Sequence, residues 1–124
     1  MIHLDTNVVT RLVYGKLREL SPKTKRLLEM EPLSISPLVV LELEYLYRKS
    51  AIRDDGVTIR EKLAKDLEVG VSKATLADVT EAALPLHWTR EPFDRLIVAN
   101  AIADRARLVT SDQLILANYS RAVW

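Results

Sequence analysis

Along the chain, short solid runs of apolar residues alternate with stretches in which apolar residues recur every three to four positions. Ile2 to Leu4 is the first run. Asp5-Thr6-Asn7 then supplies N-cap chemistry for a helix through Val8 to Tyr14. Ser21-Pro22 is a second cap, with Pro at the first helical position, and leads a helix to about Met30. Leu33 to Ser36 reads as the second strand, and Ser36-Pro37 opens a long helix to about Arg48. The polar stretch Asp54-Asp55-Gly56 separates it from another helical pattern, Ile59 to Leu67. Val69 to Val71 reads as a brief third strand, followed by a helix from about Thr75 to Leu84 and a loop through Arg90. Pro92 begins a helix to about Asp104, and Leu108 to Thr110 is the fourth strand. Ser111-Asp112 caps a short helix, and Arg121 to Trp124 is a candidate fifth strand. Short apolar strands between helical patterns favour a parallel sheet covered on both faces over a bundle. The expected architecture is α/β: a three-layer α/β/α sandwich over residues 1–124, with no internal repeat and one domain.

Composition narrows the picture. A chain of 124 residues buries roughly two-thirds of its unfolded surface, enough for one real core. With 48% hydrophobic and 28% charged residues and few Gly or Pro, it leaves little room for a disordered tail. The absence of Cys excludes a disulfide framework and thiolate chemistry and fits a reducing compartment. The Met-Ile-His-Leu-Asp start has no basic n-region or small-residue cleavage site, and no apolar run approaches the ~20 residues of a membrane span. A cytoplasmic protein without a membrane partner is the simplest reading. Net charge is only +1, but Arg11, Lys16, Arg18, Lys23, Lys25 and Arg26 face Glu19 alone between positions 11 and 26. That segment suits phosphate tracking as well as it suits a solvated helix face.

Four acids carry candidate chemistry. Asp5 and Asp112 immediately follow strands, while Glu42 and Asp94 lie in the second and first turns of helices that start near the same sheet edge. Ligands of open α/β sheets bind beyond the carboxyl ends of the strands, so all four are able to converge on one cleft. Each has a structural explanation too. Asp5 and Asp112 are natural N-caps, and Asp94 complements a helix dipole. That explanation is weakest for Glu42, whose helical neighbours Leu38, Val39, Tyr45 and Leu46 form an apolar stripe expected to face the core. Glu44 points elsewhere and has Arg48 four residues on as an ion-pair partner, so it reads as structural. Gathered carboxylates raise one another's pKa unless a cation offsets them, and hard oxygen ligands without His or Cys suit Mg²⁺ or Mn²⁺. A cation so held suits hydrolysis of a phosphodiester.

At these residues the chain resembles the PIN domain ribonucleases, especially the VapC-like toxins of toxin–antitoxin pairs. The resemblance rests on Leu4-Asp5-Thr6-Asn7-Val8-Val9, on Ser36-Pro37 with Leu41-Glu42-Leu43, on Glu91-Pro92-Phe93-Asp94-Arg95-Leu96-Ile97-Val98-Ala99, and on Leu108-Val109-Thr110-Ser111-Asp112. The third segment is the most specific. The resemblance implies a PIN-type sandwich with a five-stranded, mainly parallel sheet, and it matches Asp5, Glu42, Asp94 and Asp112 to the family's metal-binding, catalytic acids. It further implies Mg²⁺- or Mn²⁺-dependent endonucleolytic cleavage of RNA, a homodimer, and a cognate antitoxin. Apolar residues on several faces of the Pro37 to Arg48 helix also favour a dimer. Where relatives often carry Asp before Pro-Phe-Asp-Arg, this chain has Glu91.

Other residues carry weaker signals. Thr110 and Ser111 can support Asp112 through hydroxyl hydrogen bonds or simply cap the next helix. Arg95 can contact a phosphate or an acid. Tyr45 and Tyr47 point to different helix faces, so one is expected in the core and the other is free to stack on a base or line an interface. His3 and His87 lack a second His at metal-ligand spacing and read as structural. Trp124 is expected to close the core or a subunit contact. Two alternatives remain at this stage: a catalytically silent PIN module that binds RNA or protein, and a haloacid-dehalogenase-like phosphatase. The second requires an Asp two residues after the first, where Asn7 stands.

Overall fold

A computed structural model describes residues 1–124. Five strands, β1 (Ile2–Leu4), β2 (Leu33–Ile35), β3 (Gly70–Val71), β4 (Arg107–Val109) and β5 (Ala122–Val123), form one sheet in the order β3-β2-β1-β4-β5. Every pairing is parallel. The helices are α1 (Thr6–Val13), α2 (Pro22–Met30), α3 (Pro37–Arg48), α4 (Gly56–Leu67), α5 (Leu76–Ala83), α6 (Pro92–Ala103) and α7 (Gln113–Asn118). No helix is long and apolar enough to cross a membrane.

Ile2, His3 and Leu4 are all buried, as are Leu108 and Val109. Successive strand side chains point to opposite faces, so burial at both parities means that helices cover both sides of the central strands. The α/β sandwich expected from the alternating pattern is therefore the observed fold. One core unites Ile2 and Leu4 with Val8, Ile35, Val39, Leu43, Ile97 and Leu108. Val79, Ala83 and Ala99 form a smaller cluster between α5 and α6, where small side chains let the helices approach closely.

The N-caps explain most helix starts. Side chains of Asp5, Ser21, Ser36, Asp55, Thr75, Glu91 and Asp112 each accept a backbone N–H of the following turn. Because Asp55 is a cap, α4 starts at Gly56, three residues before the expected Ile59. Gly56 is required there: a Cβ would lie 2.5 Å from the Val40 carbonyl oxygen, so the first turn of α4 rests directly on the backbone of α3. The expected α1 likewise begins earlier, at Thr6, and a 3₁₀ turn at Leu17–Glu19 precedes α2. Helix α3 ends with Ser50 in the left-handed region (φ 62°), where the Ala51 N–H donates to the Leu46 carbonyl at 2.9 Å. That closure directs Ala51 to Arg53 back along the side of α3.

Candidate active site

Asp5 lies where β1 hands over to α1, and its N–H donates to the Val109 carbonyl at 3.0 Å, which locks the end of β1 to β4. Asp5 is 3% exposed, and its carboxylate accepts three hydrogen bonds, leaving acceptor capacity on Oδ1. Oδ1 accepts from the Thr6 N–H at 2.8 Å, while Oδ2 accepts from Thr110 Oγ1 at 2.7 Å and Asn7 Nδ2 at 3.1 Å. Thr110 Oγ1 in turn accepts from the Asp112 N–H at 3.0 Å, and Asn7 Oδ1 accepts from the Ser111 N–H at 3.2 Å. Asn7 and Thr110 thus tie the loop after β1 to the loop after β4. Burial raises the Asp5 pKa, with a smaller push from Asp112, against the lowering effect of the Thr110, Thr6 and Asn7 hydrogen bonds.

The other acids approach from different helices. Asp112 caps α7 through Oδ1, which accepts from the Leu114 and Ile115 N–H groups at 2.8 and 3.0 Å. Glu42 is half-buried in the second turn of α3, and desolvation raises its pKa, aided by Asp5 and Glu91. The nearby Thr6 hydroxyl opposes that rise, although Thr6 Oγ1 makes no well-formed hydrogen bond in its buried position. Asp94, in the first turn of α6, receives no hydrogen bond from the protein on its carboxylate. Its pKa is pushed up to about 7, first by desolvation and then by the charges of Asp5, Glu91, Asp112 and Glu42. Glu91 caps α6, its Oε2 accepting from the Asp94 N–H at 2.6 Å.

A cleft of about 260 Å³ is lined by Asp5, Thr6, Asn7, Thr10, Glu42, Leu46 and Asp94. Three of the four acids face it. Asp112 stands beside it and is felt there through its charge on Asp5 and Asp94. No three carboxylates stand close enough, as they are, to grip one ion together. The donor set nevertheless suits a hard divalent cation: all oxygen, anionic, and without an internal lysine or arginine at the cleft wall.

Several expectations need correction. Glu42 does not sit within the core stripe of α3, which is Val39 and Leu43. Leu38 and Leu46 are only half-buried and Tyr45 is 55% exposed, so Glu42 occupies the flank of the stripe and looks into the cleft. Neither tyrosine is core, Tyr47 being 40% exposed. Arg95 pairs with no acid; it donates to the carbonyls of Ala83 and Leu84 at 2.9 and 3.1 Å, closing the end of α5. Glu44 has the expected partner, accepting from Arg48 Nε at 2.7 Å, and also accepts from the Gly56 N–H at 3.2 Å. His3 is buried with Nε2 2.7 Å from Asp104 Oδ2. Trp124 packs on the core, with the Arg11 guanidinium 5.3 Å from its ring. Asn7 is a brace that the sequence alone does not mark. Its only sequence signal is its place two residues after Asp5, which becomes meaningful once β1 and β4 are known to be neighbours.

Among solved structures, the chain is similar to a toxin–antitoxin complex from Klebsiella pneumoniae, at 20% identity over 100% of this chain and 97% of that one, with a TM-score of 0.68. It is also similar to VapBC2 from Rickettsia felis bound to a DNA fragment from its promoter, at 23% identity over 99% of this chain and 96% of that one, with a TM-score of 0.69. At such identities the likeness is one of fold. A search of curated proteins gave no match. The PIN domain family model, by contrast, matches residues 2–120, a span that includes all four acids and their braces, and the chain belongs to the PIN domain family, a family of nucleases.

Proposed function

We propose that the cleft is the active centre of an endoribonuclease that depends on Mg²⁺ or Mn²⁺, with Asp5, Glu42, Asp94 and Asp112 as its metal-holding, catalytic acids. One observation carries the reading: Asp94 is half-buried among four other carboxylates, without a hydrogen bond or a cation of the protein's own, and its pKa is about 7. A fold does not gain stability from such a cluster, whereas a cation binder requires it. Bound there, a divalent ion supplies Lewis-acid chemistry, activating water and neutralising charge on a phosphoryl group.

The chain's own residues set the stage for that chemistry. Thr110, Asn7 and the Thr6 N–H hold the Asp5 carboxylate in a single orientation, so that ordering it costs nothing on ligand binding. Thr110 also positions the loop that carries Asp112. Asp94 retains a proton on its carboxyl near neutrality and surrenders it when positive charge arrives, so ligand binding releases a proton. Membership of the PIN family leaves the phosphatase alternative without support.

The two similar structures, one a toxin–antitoxin complex and the other VapBC2 on promoter DNA, support a biological role as the toxin of such a pair, silenced by a cognate antitoxin. Exposed Leu41 and Tyr45 on α3 fit the homodimer that this role implies. The test is cleavage of labelled single-stranded RNA with Mn²⁺, with chelator, and by Asp94→Asn. Activity should need Mn²⁺ and fall at least about 100-fold in the variant. Asp94→Asn is a cleaner probe than Asp5→Asn, whose new N–H₂ would face a donor in either orientation, the Thr6 N–H or those of Thr110 and Asn7. Full activity in chelator, or in a folded Asp94→Asn protein, overturns the assignment. The partner is tested separately, by Mn²⁺ titration of the protein alone and in complex with the product of a neighbouring gene. A partner that enters the cleft weakens Mn²⁺ binding, and unchanged affinity places inhibition elsewhere.

A further inference from the structure

Beside the acidic cleft lies a larger groove of about 1220 Å³, running between α1, the 3₁₀ turn, α3 and the segment after it. The two share Thr10 and Leu46 as lining residues, so they adjoin on one surface. Their character differs sharply. Arg11, Lys16, Arg48 and Arg53 line the groove beside Glu19, with Glu44 paired to Arg48 and Asp54 behind Tyr14, and Tyr14 and Tyr47 interleave with the cations. A chain whose phosphate occupies the cleft and whose next phosphates leave past Thr10 passes from a wall of carboxylates onto a wall of cations.

Helix periodicity explains this layout. Asn7, Thr10 and Tyr14 fall on one stripe of α1, about 10 Å long at 1.5 Å per residue, leading from the cleft to the far part of the groove. There the Tyr14 hydroxyl donates to Asp54 Oδ2 at 2.9 Å, which fixes the ring, and the Arg53 guanidinium lies 4.6 Å from the ring centroid. Arg53 has one face on Tyr14 and a side chain that is 79% exposed, with only a long 3.9 Å approach to Asp54. Its outer face is open. An exposed planar cation held over an aromatic ring offers a surface on which an unpaired base can stack, gaining both π-contact and charge.

We propose that Arg53 on Tyr14 forms a base-stacking subsite for a nucleotide that flanks the cleaved bond, making single-stranded RNA the substrate class of this groove. The proposal rests on the nuclease reading of the cleft, since continuity with the cleft identifies the occupant. Single-stranded substrate follows because a base within a duplex presents no free face.

The probe is a fluorescein-labelled octaadenylate, its affinity measured by anisotropy on the Asp94→Asn protein so that binding is read without cleavage. Adding Arg53→Ala should weaken binding roughly 5- to 100-fold, the range expected for one lost stack. Arg53→Lys, which keeps the charge but not the plane, should fail to restore it. Abasic substitution scanned along the oligonucleotide should locate one position whose loss is not additive with Arg53→Ala. Unchanged binding in Arg53→Ala, full rescue by Lys, or additivity at every position each overturns the subsite. So does a result in which Arg53→Ala spares RNA but weakens a protein partner, which would make the groove a protein-docking surface. Wild-type RNA cleavage, measured in parallel, separates the two levels: a protein that cleaves RNA but ignores Arg53 refutes the subsite alone, and one that does not cleave refutes the reading beneath it.

Discussion

Two polar clusters share the same strand and the same helix yet are built on opposite principles. β1 leads to Asp5 and also carries His3, and α6 supplies Asp94 at its start and Asn100 and the C-cap Asp104 at its end. Around Asp104 every charge has an answer. His3 Nε2 lies 2.7 Å from Asp104 Oδ2, which also accepts from Ser72 Oγ at 2.5 Å, while Asn100 Nδ2 donates to Ser72 Oγ at 2.8 Å. Burial holds His3 below its ordinary pKa despite Asp104, so it stays neutral and its Nδ1 stays bare. This is a closed knot that ties β1, β3 and α6 together. Around Asp94, by contrast, acids face acids. The first cluster answers its charges within the protein, and the second has no counter-charge among the side chains around Asp94.

Substitutions at the two clusters should therefore fail in opposite ways. Asp94→Asn should lose cleavage by at least about 100-fold and yet melt higher than wild type in chelator, because it removes a buried like-charge conflict. Solvent screening limits the gain to about 1 kcal/mol, or a few degrees. A variant that is both inactive and less stable would erase the contrast. Glu42→Gln should reduce metal-dependent cleavage by roughly 10- to 100-fold, whereas Glu44→Gln, which touches only Arg48 and Gly56, should leave the rate unchanged; equal losses would show that Glu42 has no special place. Asp104→Ala should do the reverse of Asp94→Asn, costing about 2 kcal/mol because the 1%-exposed His3 loses its acceptor, with the rate of the folded protein preserved. Denaturant unfolding and a cleavage assay on the same preparation decide this.

The smallest effect is one of pH. Asp94 has its pKa raised from 3.8 to about 7, so the stability its protonation brings is complete below 3.8 and is lost as pH rises through about 7. His3 is lowered from 6.5, so its contribution is complete above 6.5 and is lost as pH falls. In the ion-free protein the two oppose each other between about pH 4 and 7. Asp94→Asn removes one side, and its melting temperature should fall more steeply than wild type between pH 6.5 and 5. Parallel curves would mean that the acidic cleft holds no proton of consequence.

The caps and alternating runs made the α/β fold legible, because an Asp, Ser or Thr before a Pro or an apolar turn is a local signal. Strand order was not local. Parallel strands separated by helices carry no mark of their neighbours, so nothing near Asp5 announces that Thr110 will bond to it across 105 positions. The same gap hid Asn7. Helical periodicity placed Glu42 on the inward side but could not distinguish the core from a cleft wall, a difference that depends on how α1 and α6 lie across α3. Arg95 follows an acid, Asp94, in sequence, whereas its partners in space are the carbonyls at the end of α5.

The seam between β1 and β4 has a consequence for synthesis. Asp5 is made 105 positions before Thr110, the residue that braces it and holds the loop to Asp112. Pairings so distant in sequence form late, and translation at about 5–20 residues per second leaves the N-terminal acid waiting for several seconds. Until then the growing chain carries Asp5 without its braces, so the cleft takes its shape only once the segment around Thr110 has been made.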